Sequence, residues 1–148
     1  LVGRKLPLAG GTTVASLFAE ISGTIAELQN GEFKDIGNYL ATAHDALAKA
    51  TDWISAGQVD DPRAQGAAAV GYLKMFSTVV GGWLMARAAL AAARKLTADE
   101  GDAGFNAAKI ATARFFSEQI LSAVPGLLPA VTSSSDNTFA IDPEQMTG

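Results

Sequence analysis

The chain has no cysteine and a single histidine in 148 residues. The first absence excludes a disulfide framework and any thiolate metal site, and it suits a reducing cytoplasm, the expected location. The second excludes a dinuclear carboxylate centre, which needs Glu-x-x-His on two helices. Even at the one histidine, His44, the residue three places earlier is Ala41. Charge is also scarce: 18% of residues are charged and the net charge is −4, with Lys and Arg scattered. A phosphate backbone is gripped by clustered cations, so no nucleic-acid partner is expected. The uncharged run Met75–Ala86 lies between Lys74 and Arg87. It is shorter than the roughly 20 residues a spanning helix needs, so no membrane span is expected. No Gly-x-Ser-x-Gly elbow, Walker loop or Gly-x-Gly-x-x-Gly fingerprint occurs.

What is present is apolar residue at helical spacing. Val14, Leu17, Phe18, Ile21, Ile25 and Leu28 form one stripe, with Thr12 or Thr13 as the expected N-cap and Asn30-Gly31 as the stop. Ile36, Leu40, Ala43, Leu47, Ala50 and Ile54 recur by fours and threes, the pattern of a bundle seam, between an Asp35 cap and a Gly57 stop. Asp61-Pro62 opens a third helix that should run to about Leu96, where Arg94 and Lys95 favour the negative end of the dipole. Its main stripe reads as Val70, Leu73, Phe76, Val80, Trp83 and Leu90, widened by Met75, Val79, Leu84 and Met85. One buried stripe suffices for a free-standing bundle. The excess predicts a central helix, or a face covered by another domain or subunit. Gly81-Gly82 at its middle costs about 1 kcal/mol per Gly relative to Ala, which predicts close helix contact there.

A fourth helix starts at Asp102, with Phe105, Ala108, Thr112, Phe115 and Gln119 as one row. Pro125 and Pro129 must interrupt its distal part. The expected fold is all-α: an antiparallel up-down four-helix bundle over 1–131 and a partly disordered tail over 132–148, which Phe139 and Ile141 could dock.

No catalytic, cofactor-binding or metal-binding residue is assigned. His44 sits beside the seam of the second helix, as a boundary histidine does. Glu20 and Glu27 read as the solvated side of an amphipathic helix rather than an acid–base pair. The Gly10-Gly11-Thr12-Thr13 turn offers only the free amides every helix start has. Trp53, Tyr72 and Trp83 read as core. A small apolar ligand between the third and fourth helices, near Trp83 and Phe115, is a weaker alternative.

Three blocks carry a resemblance. Gly71–Ala88, GYLKMFSTVVGGWLMARA, resembles the extra C-terminal domain of the long, 3-methylmercaptopropionyl-CoA dehydrogenase-like acyl-CoA dehydrogenases. Phe105–Phe116, FNAAKIATARFF, resembles the next helix of that family, where a Lys-Ile-x-x-Ala-Arg-Phe/Tyr phrase recurs. Leu1–Leu6, LVGRKL, resembles the segment directly after the family's Tyr-Glu-Gly-Thr-Asn-Gly-Ile-Gln motif.

The resemblance implies an accessory domain of an FAD-dependent enzyme that desaturates an acyl-CoA thioester. Flavin and catalytic Glu would lie before Leu1, and a start without Met accords with a segment of a longer chain. It implies as partners the catalytic domains of the parent chain, a second subunit in a homodimer, and an electron-transfer flavoprotein. The competing expectation is a stand-alone helical interaction module without catalytic activity.

Overall fold

A computed structural model describes residues 1–3, 6–56, 62–133 and 135–146. Among these the secondary structure is entirely helical, as expected. Four long helices, α1 (Thr12–Asn30), α2 (Lys34–Ala56), α3 (Pro62–Thr97) and α4 (Ala103–Gln119), are followed by a 3-10 turn over Leu121–Leu127 and a short α5 (Leu128–Val131). Single 3-10 turns lie at Leu8–Gly11 and Pro143–Met146. The expected Gly57 stop and Asp61 cap lie outside the described residues, but α3 does begin at Pro62. Pro125 falls inside the 3-10 turn and Pro129 in the first turn of α5, so the prolines break the distal helix as expected.

The seam of α2 is buried throughout: Ile36, Leu40, Ala43, Leu47, Ala50 and Ile54 all have 1% exposure or less. Burying each of the large aliphatic side chains is worth about 1.5–3 kcal/mol. On α1 the distal half of the stripe, Ile21, Ile25 and Leu28, is buried, while Val14, Leu17 and Phe18 are half-buried against it. α2 therefore lies at the heart of the bundle, touching α1, α3 and α4.

Caps divide. Asp102 caps α4, its carboxylate accepting from the Phe105 amide at 2.6 Å. At α1 the cap position is Gly11, at φ 85°, and Thr12 is the first helical residue. Asp35 lies one residue inside α2, where it pairs with Arg114 of α4. Gly31 ends α1 in extended rather than left-handed backbone, its amide donating to the Leu28 carbonyl.

The faces of α3 and α4 differ most from expectation. The buried row of α3 is Ala64, Ala68, Tyr72, Met75, Val79, Trp83, Ala86 and Ala89, whereas Val70 is 80% exposed and Leu73 53%. On α4 the buried positions are Asn106, Ala113 and Ser117, with Phe105 and Phe115 turned outward. Where the helices approach most closely, small residues face inward. A Cβ on Gly81 would stand 3.3 Å from the Phe116 ring, one on Gly82 2.9 Å from Leu121, and one on Gly71 2.8 Å from Val131. The glycine pair thus provides the contact its helix-propensity cost implied.

Candidate functional site

Two polar contacts of the interior join helices. The Trp83 indole N–H donates to the Thr24 hydroxyl of α1 at 2.9 Å. The Tyr72 phenol meets the Thr51 hydroxyl of α2 at 2.8 Å, and Thr51 lies 2.8 Å from the Leu47 carbonyl. Burial raises the Tyr72 pKa, with the Thr51 hydrogen bond acting the other way, so the phenol is neutral at physiological pH. Trp53 is half-buried on α2. Tyr72 and Trp83 bind different helices and frame no common slot, in line with their reading as core.

His44 lies half-buried between α1 and α2, edge-on to the Phe18 ring at 5.0 Å, with Nε2 buried and unpartnered. Burial lowers its pKa, and the neighbouring Asp45 acts in the opposite direction. Glu20 and Glu27 are exposed, and Glu27 forms an ion pair with Arg94 of α3. Among the described residues no three His, Asp or Glu side chains converge as metal ligands would.

Recesses exist where the helices diverge. One of about 380 Å³ lies between the α1–α2 connection and the end of α3, lined by Glu32, Phe33, Leu90, Ala93, Arg94, Thr97 and Ala98. Another, of about 220 Å³, runs along α3 from Lys74 and Thr78 to Ile120, Ala123, Val124 and Leu127. Neither is lined by Trp83 or Phe115, the pair near which an apolar ligand is the weaker expectation. Trp83 turns to α1, and Phe115 is 61% exposed.

The most unusual feature is the outward side of α3. Val70, Leu73 and Leu84 are 80%, 53% and 51% exposed, with Ser77 exposed and Val80 half-buried in the same row. At 1.5 Å per residue this row runs about 21 Å from Val70 to Leu84. The helix from Arg63 to Thr97 is long and apolar enough to cross a membrane by length and composition, and 39% of its apolar window is buried. The short uncharged run Met75–Ala86 therefore understates the helix, which carries apolar residues past its flanking cations. The surplus of apolar surface is legible in the sequence. Of the residues expected to widen the stripe Leu84 does supply it, together with Val70 and Leu73 of the expected main stripe, while Met75 and Val79 are buried. A further signal was available: residues 62–97 hold Arg63, Lys74, Arg87, Arg94 and Lys95 and no Asp or Glu.

Comparison with known proteins gives this helical unit a context. Residues 17–142 match the family model described as "Acetyl-CoA dehydrogenase C-terminal like". Over 139 residues, 93% of its length, the chain is 34% identical to a 3-methylmercaptopropionyl-CoA dehydrogenase of Ruegeria pomeroyi. It spans about a quarter of that relative, 24% of its length.

Proposed function

Because the chain belongs to the acetyl-CoA dehydrogenase C-terminal-like family, we infer that it serves as the accessory C-terminal domain of an FAD-dependent acyl-CoA dehydrogenase, packed on the catalytic portion or at a subunit interface. The observation that carries this reading is the match across nearly the whole chain to a quarter of a much longer dehydrogenase.

The parent reaction removes a proton from the α carbon of an acyl-CoA thioester and transfers the β hydrogen as hydride to flavin, leaving an enoyl-CoA. The recess beside Phe33 does not fit the flavin. The 380 Å³ recess has an apolar floor of Phe33, Leu90 and Ala93, and its cation, Arg94, is paired with Glu27. A dinucleotide needs converging donors for its pyrophosphate, which this recess does not offer. In this reading FAD and the catalytic base belong to other parts of the parent chain, and no step of the reaction is routed through residues 1–148.

The same reading makes the parent a cytoplasmic homodimer that passes electrons to an electron-transfer flavoprotein. It also keeps the four long helices in antiparallel up-and-down order, which the short connections at 31–33 and 98–102 support. The test is to purify the natural full-length polypeptide and record its flavin absorbance and its oxidation of acyl-CoA thioesters with an electron-transfer flavoprotein as acceptor. Flavin bound in equal ratio and enoyl-CoA formed are the expected results. A full-length polypeptide without flavin or without acyl-CoA oxidation overturns the reading.

A further inference from the structure

The outward row of α3 is apolar, and the charges that α3 itself carries are of one sign. Lys74 and Arg87 are exposed on its two flanks, and the whole helix is free of carboxylates, although the chain holds 15 acidic residues. Ser77 interrupts the row between Leu73 and Leu84, where Val80 is half-buried, and Ala88 follows one turn beyond Leu84. A row of large side chains separated by small ones presents ridges and grooves of the kind that seat another helix.

We propose that this face docks onto a helical surface of the parent enzyme's catalytic portion, one that is apolar at its centre and edged with Asp or Glu side chains facing Lys74 and Arg87. The proposal rests on the accessory-domain reading and adds to it which face docks and what chemistry meets it. Charge complementarity selects the occupant. A second copy bringing its own α3 against this one would set Lys74 and Arg87 against the same cations, which costs free energy at a desolvated contact. A second copy offering one of its acidic helices instead would make a head-to-tail contact that closes only if the rotation happens to form a ring. An anionic bilayer would attract α3 but meet a chain whose net charge is −4. A carboxylate-edged partner within the parent polypeptide avoids all three penalties.

The experiment uses the natural full-length polypeptide. Because residues 1–148 contain no cysteine, a thiol placed there is the only one in its own stretch of this chain. Leu84→Cys is compared with Ser22→Cys, which sits on an exposed position of α1, by following maleimide labelling of each peptide by mass spectrometry. In parallel, carbodiimide coupling of Lys74 to nearby carboxylates is mapped in a mixture of isotopically light and heavy protein. The expected result, without added lipid, is labelling of Leu84→Cys at least tenfold slower than Ser22→Cys. Lys74 should be linked to an Asp or Glu outside residues 1–148, and Lys74→Glu with Arg87→Glu should raise the Leu84→Cys rate at least fivefold.

Equal labelling rates overturn the proposal. So does a slow rate with no Lys74 link outside the stretch, or with mixed-isotope links falling within residues 1–148, which would assign the face to a second copy. Protection that arises only on adding vesicles of phosphatidylcholine and phosphatidylglycerol would assign it to a bilayer and also overturn it. Flavin content and acyl-CoA oxidation are measured on the same preparation. Loss of those with Leu84 still protected sinks the accessory-domain reading alone, whereas an active flavoprotein with Leu84 freely labelled sinks the docking face alone.

Discussion

The Tyr72 phenol and the Thr51 hydroxyl meet at 2.8 Å in the interior, fastening α3 to α2 at a point where both side chains are buried. Thr51 also bonds the Leu47 carbonyl, so the pair is a relay rather than an isolated contact. Tyr72→Phe keeps the ring and removes the hydroxyl, leaving Thr51 its backbone partner. The expected cost is about 1 kcal/mol. Tyr72→Ala also empties the site of a side chain with 0% exposure and should cost about 3–5 kcal/mol. Urea melts of the two variants check the ratio, and equal losses would show that the ring contributes no packing.

Gly82 and Gly23 should respond to alanine with opposite signs. Both are helical, and replacing a helical Gly by Ala gains up to about 1 kcal/mol in propensity. At Gly23 a Cβ meets nothing within 4 Å, so Gly23→Ala should raise the melting temperature. At Gly82 the new methyl would stand 2.9 Å from two Leu121 carbons. Gly82→Ala should therefore lower it, by about 1–3 kcal/mol of overpacking. A stabilised Gly82→Ala would mean that α3 and the 121–127 turn are not in close contact.

His44 gives the chain a pH response whose sign is set by its burial. Its folded pKa is lowered from 6.5, mainly by desolvation, so the unfolded chain binds the proton more readily. Stability is then unaffected by His44 above about pH 7.5 and falls as pH drops through the unfolded value toward the lower folded one. His44→Leu should flatten that part of the curve. Denaturant midpoints at pH 7.5 and 5.5 for both proteins provide the measurement, and an unchanged slope in the variant would place the imidazole in water.

Asp102 caps α4 through the Phe105 amide at 2.6 Å. Asp102→Ala should cost about 1 kcal/mol and Asp102→Asn less, because the amide oxygen can still accept. Thermal melts suffice, and equal losses for Ala and Asn would indicate that charge rather than the hydrogen bond carries the effect.

Legibility varied element by element for physical reasons. α2 was readable because its apolar residues fall on one side only, so period and burial coincide at Ile36 through Ile54. On α3 apolar residues occur all round, and size is then a poor guide to burial. The larger Val70 and Leu73 were expected in the core, but the core took Ala64, Ala68, Ala86 and Ala89. On α4 the row of Phe105 and Phe115 likewise faces outward, while Ala113 and Ser117 are buried. The starts of α1 and α2 differ from the expected caps by a residue or two, because Gly11 takes the cap position by its backbone conformation and Asp35 pairs with Arg114 instead.

Residue order alone settles that the chain is helical, that α2 is a buried seam, that Asp102 starts α4 and that the prolines break the helix beyond it. Propensity, capping and φ restriction act over a few residues, so they need no distant partner to be read. Which sides of α3 and α4 face inward is settled only when the helices pack. That choice depends on how near neighbouring backbones come: at the glycine pair, Phe116 and Leu121 leave no room for a larger inward residue, and Val70, Leu73 and Leu84 lie outward.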